Sequence, residues 1–345
     1  MSGGLAQGPV GCAVIGLGWM GRLHAAFLAA SPLADLHVCC DLHAGAAAHC
    51  PSGSRFTSSL ESVLDDGSIE AVFVCTPPDS HRVPVELALQ AGRHVFCEKP
   101  LATTLEDAAG MASAPGARDR LVVGHIRRFD PRFLTVRDSI ESGRIGRPLH
   151  LVGGVNCPRE DAHRLGSRVS LALESAVHDI DVMRWFAGDV TRVYAEGSRL
   201  TTGSLVGALV ATLRFSSGVV GCLHHSWVLA DDSGLDWEFH FQVNGENGLL
   251  DIDGRHRGVT IHGPGGVVYP DVYTWPSVHG SIGGVLAIED ACFLERVRGG
   301  RAWPLDLDDA LEAVSVAIDI DRSIAEERII ARSRSGDRRV SRAPA

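Results

Sequence analysis

The stretch VIGLGWMG, residues 14–21, constrains this chain more than any other. It spaces Gly16, Gly18 and Gly21 as G-x-G-x-x-G. Before it stands an apolar run, CAVIG (12–16), and after it a segment of helical periodicity, MGRLHAAFLAA (20–30). A second apolar run, ADLHVCCD (34–41), ends on Asp41, 20 residues beyond Gly21. A glycine turn leaving a strand and opening a helix, with an acid closing the next strand, is the fingerprint of a dinucleotide-binding βαβ unit. The first glycine makes the tight turn, the second lets the backbone approach a pyrophosphate, and the third lets helix and strand pack closely. The helix N-terminus then faces the negative charge, with Trp19 and Met20 in the same cofactor-binding turn. Asp41 is expected to accept hydrogen bonds from ribose hydroxyls and to repel a 2′-phosphate. Leu42 and His43 follow it, so no arginine stands there to receive one. The pattern favours NAD over NADP.

The alternation continues. AVFVCTP (71–77), HVFCEKP (94–100) and RLVVGH (120–125) read as buried strands, with helical stretches near 58–65, 81–91 and 104–114. This predicts a doubly wound parallel sheet with right-handed crossovers. Past about residue 146 the texture changes. PLHLVGGVN, VTRVYAEGSRL, LVGALVATLRF, GVVGCLHHSWV and LDWEFHFQVNG follow one another with short turns, and several alternate apolar and polar residues. That predicts an open, mainly antiparallel sheet. One helix interrupts it at about 171–186, and two more, near 285–299 and 307–327, close the chain. The expected fold is α/β: a Rossmann domain over 9–126, an α+β substrate-binding and oligomerisation domain over 127–335, and a flexible basic tail over 336–345.

Composition excludes several classes. A net charge of −10 over 345 residues argues against a nucleic-acid surface. No apolar run reaches the roughly 18 residues of a membrane span. Nine cysteines without a C-x-x-C suggest neither a disulfide framework nor a metal site. A cytoplasmic protein without metal is expected. DIDG (251–254) lacks the later ligands of a calcium loop and reads as a β-turn. His224 and His225 are neighbours on a strand, point to opposite faces and form no metal pair. The acids of PLDLDDA (304–310) suit a helix N-terminus.

One cation stands apart. The chain holds 31 arginines and a single lysine, Lys99, in FCEKPLAT (96–103). Arginine does not deprotonate in a protein, so the two are not interchangeable where a proton moves or a compact ammonium must fit. CTPPDSH (75–81) and CEKP (97–100) both end strands at the carboxyl edge of the sheet, where open α/β folds bind ligands. With GHIRRFDP (124–131) and ESAVHDIDVMRW (174–185), these stretches resemble the glucose–fructose oxidoreductase, inositol dehydrogenase and MocA family of nicotinamide-dependent dehydrogenases. The resemblance spans nearly the whole chain and is greatest to the inositol and cyclitol branch.

The resemblance implies that Lys99 lies beside the nicotinamide and the reacting hydroxyl. It implies that Thr76, Pro77 and Pro78 line the nicotinamide side, with His81 of the same motif among the cofactor residues, and that Glu98 touches the ribose. It also implies a cis bond between Lys99 and Pro100. Glu174, His178, Asp181 and Trp185 are spaced to share one helix face. Such a face is either a satisfied polar surface or a functional one. The resemblance makes His178 the acid/base on the substrate hydroxyl and gives Glu174 the place of the family's acid, which in many relatives is the shorter Asp. Of Arg127 and Arg128, one is expected to bind substrate or fix the helix and the other to be structural, with Arg127 taken as the substrate contact. Asn156 is either a substrate contact or part of a surface turn.

The expected reaction is oxidation of a secondary alcohol of a cyclic polyol, of inositol or aminocyclitol type, or the reverse. A sugar or nucleotide-sugar oxidoreductase is the alternative within the family, and a non-catalytic NAD(P)-binding sugar sensor the alternative outside catalysis. The open sheet and the resemblance imply a homodimer or homotetramer joined through that sheet.

Overall fold

Short apolar runs separated by amphipathic helices build a parallel sheet from the first third of the chain. In the computed structural model, residues 8–200, 205–230, 233, 237–254, 258–263 and 266–332 are described. The first strands are β1 (Val10–Ile15), β2 (Ala34–Cys40), β3 (Arg55–Thr57), β4 (Ala71–Val74), β5 (His94–Glu98) and β6 (Leu121–Gly124). Between them run α1 (Trp19–Ala30), α2 (Leu60–Leu64), α3 (Arg82–Gln90), α4 (Leu105–Ser113) and α5 (Ala117–Arg120). The strands pair in parallel in the order β3-β2-β1-β4-β5-β6. Every residue of β1 and β4 is buried, as central strands covered on both faces require. The sequence pattern missed β3, because three residues are too few to show a period.

Next come α6 (Pro131–Glu141), β7 (Pro148–Pro158), α7 (Arg159–Leu165) and α8 (Val177–Ala187). Then follow β8 (Val190–Arg199), β9 (Val206–Phe215), β10 (Val220–Leu229), β11 (Glu238–Gly245), β12 (Leu249–Asp253), β13 (Ile261–Gly263) and β14 (Gly266–Val268). Last are β15 (Ser277–Val278), β16 (Ser281–Ile282), α9 (Gly284–Val297), α10 (Leu307–Glu326) and β17 (Ile330–Ala331). A seven-stranded sheet has the order β12-β11-β7-β10-β9-β8-β17, antiparallel except where β10 meets β7. Alternation along β9 puts Leu209, Ala211 and Leu213 in the core and Val210, Thr212 and Arg214 outside. Residues 251–253 of DIDG lie in β12 and not in a turn, because Ile252 is buried and the run pairs with β11. The acids of PLDLDDA do open a helix: the Asp309 N–H donates to Asp306 Oδ1 at 2.9 Å at the start of α10.

The chain divides into two units, Met1–Phe129 with Asp271–Leu311, and Asp130–Pro270 with Glu312–Ala345. The sequence placed one boundary, after residue 126, and assigned 127–335 whole to the second domain. The return of 271–311 to the first unit has an apolar cause. Phe293 of α9 is fully buried edge-on to Phe73 at 5.1 Å, and Trp303 packs on Phe96 and Phe129. These large side chains cannot be buried within their own short segment. The expected tail, 336–345, lies outside the described residues. Among the described residues no helix is long and apolar enough to cross a membrane, and no group of three or more His, Cys, Asp or Glu could hold a metal ion.

Candidate active site

The glycine turn of the first unit uses each glycine for a different reason. Gly16 has φ +91°, and a Cβ there would lie 2.7 Å from the Cys75 carbonyl and the Thr76 nitrogen. A Cβ on Gly21 would sit 1.8 Å from the Gly16 carbonyl oxygen. Around Gly18 nothing lies within 4 Å, so the turn is open where a pyrophosphate would approach. Gly18 is the N-cap of α1, no side chain caps it, and the first turn holds no acid, which suits an anion at that helix end. The Asp41 carboxylate accepts the Leu17 N–H at 2.7 Å on one oxygen and the His43 N–H at 2.8 Å on the other. Trp19 is half exposed and meets Trp275 edge-on at 4.8 Å, and Met20 is partly buried behind it. The turn, the open Gly18 and the aligned Asp41 fit a dinucleotide.

Along the carboxyl edge, Thr76, Pro77 and Pro78 follow β4, with Pro77 exposed and the other two partly so. His81 is buried and does not face the edge. Its Nε2 lies 2.8 Å from the Thr76 carbonyl, and its Nδ1 lies 3.1 and 3.2 Å from those of Pro100 and Leu101. It ties the two edge loops together, and burial pushes its pKa down against the pull of those carbonyls. Lys99 is partly exposed after β5, and the Lys99–Pro100 bond is cis. Glu98 points inward and is 8% exposed. One of its oxygens accepts the Lys99 N–H at 3.0 Å and the other lies 2.9 Å from His24 Nε2. Both Glu98 oxygens are thus engaged inside the unit, and the ribose contact that the resemblance implied would have to use their remaining lone pairs. Arg127 is partly exposed, whereas Arg128 is buried with its guanidinium 3.9 Å from Asp309.

In the second unit a π-helical turn, Ala172–Ala176, precedes α8. The regular α-helix expected over 171–186 is corrected by that wider turn, which changes the phase of Glu174 relative to His178. From Leu171 to Arg184 every residue is buried except Glu174 and His178, which are partly exposed. Asp181, expected on their face, is fully buried. Ser170 fixes the segment: its hydroxyl accepts the Leu173 N–H at 3.2 Å and donates to Asp321 at 2.6 Å, and its carbonyl accepts the Glu174 N–H at 2.8 Å. Beneath, the Ser175 hydroxyl and Asp179 bracket the buried His225 at 2.8 and 3.1 Å. Asn156 lies inside β7 and not in a turn. Its amide donates to Glu238 at 3.0 Å and accepts the Ser226 hydroxyl at 2.5 Å, so both ends are held across the sheet. His224, on the opposite face from His225, meets His240 at 2.9 Å between ring nitrogens.

Sequence reasoning missed His24, Asp290 and the Ser175–His225–Asp179 group. Their only signal was a polar residue where a helix or strand pattern calls for an apolar one. All nine cysteines are free.

The comparisons agree with this geometry. Residues 10–125 match the model of an oxidoreductase family with an NAD-binding Rossmann fold, and residues 133–251 match the GFO/IDH/MocA C-terminal domain. Myo-inositol 2-dehydrogenase of Thermotoga maritima is 30% identical over 226 residues, 62% of this chain and 67% of that one. Inositol 2-dehydrogenase of Rhizobium meliloti is 25% identical over 92% of this chain and 97% of its own. For the first curated relatives the matched stretch spans between about half and two thirds of their length. The crystal structure of GenD2 from gentamicin A biosynthesis, in complex with NAD, superposes with a TM-score of 0.84 at 24% identity, over 96% of this chain and 99% of that one. Two family models in chain order, with a matching fold and glycine turn, establish that the chain belongs to the GFO/IDH/MocA family of oxidoreductases.

Proposed function

We propose that this chain is an NAD-dependent dehydrogenase that oxidises a secondary alcohol of a cyclic polyol, of inositol or aminocyclitol type, to a ketone, or runs the reverse. The observation that carries this reading is the placement of the only lysine. Lys99 stands partly exposed at the carboxyl end of a Rossmann strand, two strands from a glycine turn shaped for a dinucleotide. The inositol dehydrogenases among the relatives support the polyol class. Asp41 favours NAD over NADP, because its carboxylate repels a 2′-phosphate.

Gly16, Gly18, Gly21, Trp19, Met20, Asp41, Thr76, Pro77 and Pro78 would hold the cofactor, which when bound supplies the hydride acceptor. His178 takes the hydroxyl proton as general base, a task suited to an imidazole of ordinary pKa about 6.5. Lys99 donates a hydrogen bond to the same oxygen and stabilises alkoxide charge as the hydride leaves. Glu174 orients these groups, and Arg127 holds the polyol. Asn156, held by Glu238 and Ser226, is a further substrate contact. The chain assembles as a homodimer or homotetramer through its open sheet.

The test is NAD reduction followed at 340 nm across a panel of inositols, aminocyclitols and pyranoses. Turnover on a ring polyol is expected, and Lys99→Arg is expected to bind NAD normally and lose about a hundredfold or more in kcat. Cofactor binding without turnover on any member would favour a sensor, and a wild-type kcat in Lys99→Arg would remove Lys99 from the chemistry.

A further inference from the structure

Inside the first unit, His24 of α1 is fully buried between two carboxylates from distant parts of the chain. Its Nδ1 lies 2.8 and 2.9 Å from the two oxygens of Asp290, on α9, and its Nε2 lies 2.9 Å from Glu98 Oε1, at the end of β5. A neutral imidazole has one N–H. With an ionised carboxylate on each nitrogen both donate, and the ring is an imidazolium. Around it are Phe73 at 5.5 Å and Phe96 at 5.1 Å. A fold that needed only a packed core would fill this place with apolar side chains, because buried ion pairs recover little of their desolvation cost. The row of contacts also leads somewhere. The second Glu98 oxygen accepts the backbone N–H of Lys99 at 3.0 Å.

We propose that His24 and Asp290 are positioning residues for Lys99, an imidazolium clamp that fixes the Glu98 carboxylate and, through it, the backbone that carries the lysine. The proposal rests on Lys99 acting in catalysis. His24 is 0% exposed, so it acts only through Glu98. Asp290 fixes the ring, and Glu98 fixes the strand end against the cis bond that follows. The ionisations agree. His24 is raised to about 10: burial lowers it, and Asp290 and then Glu98 more than offset that. Glu98 is lowered despite burial by His24 and Lys99, while Asp290 is raised by burial. The two partners of His24 thus shift in opposite directions. We take both as ionised, because the near-equal contacts of Nδ1 to the two Asp290 oxygens suit one N–H shared by a symmetric carboxylate. Burial pushes the neighbouring Glu289 carboxyl and the Cys75 and Cys97 thiols well above their ordinary values. The ammonium of Lys99 is one of the charges that lower Glu98.

A chain with one lysine gives one lysine side-chain resonance. The full-length protein is labelled with 13Cε-lysine, and Glu98→Gln, Asp290→Asn and the double variant His24→Gln/Glu98→Gln are compared with wild type. Glu98→Gln is expected to bind NAD within about threefold of wild type and to lose ten- to a hundredfold in kcat, with little change in KM for the polyol. Its Lys99 resonance is expected to move from the wild-type chemical shift. The double variant is expected to be no worse than Glu98→Gln alone, since His24 acts through that carboxylate. Folded variants with wild-type kcat and an unmoved resonance overturn the proposal. If wild type turns over no polyol, the functional reading fails, and the NMR arm still tests the clamp. If the variants do not fold, 15N shifts of wild-type His24 at pH 8 decide: a doubly protonated ring supports the clamp, and a neutral ring overturns it.

Discussion

Two backbone amides hold the Asp41 carboxylate, one on each oxygen. Each oxygen keeps a lone pair for a further donor, and among the described residues no side-chain partner competes for it. Asp41→Ala is therefore expected to weaken NAD about ten- to a hundredfold, as the loss of hydrogen bonds to a charged group does, and to narrow the preference over NADP. Kd values for both cofactors from fluorescence titration check this, and an unchanged NAD:NADP ratio would show that Asp41 does not select. His24 makes a second claim at this scale. Its folded pKa, about 10, lies above its ordinary 6.5, so its stabilisation is complete below pH 6.5 and is lost as pH rises through 10. Thermal melts should show Tm falling from pH 7 to 10, with a flatter slope in His24→Gln. Equal slopes would place the alkaline sensitivity elsewhere.

At the scale of elements, α8 and the π turn before it are placed by absences as much as by contacts. A Cβ on Gly153 would meet Asp179 at 2.8 Å and Met183 at 3.1 Å, and one on Gly221 would meet Met183 at 3.1 Å, so these glycines let the helix lie close on the sheet. At its start, Ser170 caps Leu173 and anchors to Asp321. Burial raises that carboxyl to about 6, and the Ser170 hydroxyl counters the shift. Ser170→Ala removes a cap and leaves a buried carboxyl short of one donor. A loss of about 1–2 kcal/mol is expected in denaturant unfolding. A variant as stable as wild type would mean that the turn is held by packing alone. The period in ESAVHDIDVMRW showed that a helix was there, and Glu174 and His178, which it set on one face, are each partly exposed. It did not show the π turn, because that depends on how Ser175 and Asp179 reach His225 on β10.

For the whole molecule, the seven-stranded sheet turns Tyr194, Val210 and Val228 outward, each between 40% and 53% exposed. Beside them stand His224 and His240, which meet over Gly154. A broad face of this mixed character is what an assembly interface covers. Light scattering after size exclusion is expected to give a dimer or tetramer, and Val210→Glu a smaller species. A wild-type monomer at micromolar concentration would refute assembly through this face.

The sequence by itself determined the βαβ alternation, the glycine turn with Asp41, the switch to an antiparallel sheet and the place of Lys99. Each depends on neighbours within about 30 residues, and a local period or a backbone requirement leaves its mark at that range. Tertiary structure alone decided that residues 271–311 return to the first unit and that Asp290, 266 positions from His24, closes the buried ion cluster. It turned Glu98 inward and locked Asn156 across three strands. These outcomes come from burial: a charge or an aromatic ring settles where its partner is, and that partner is fixed by the packed fold and not by its distance along the chain.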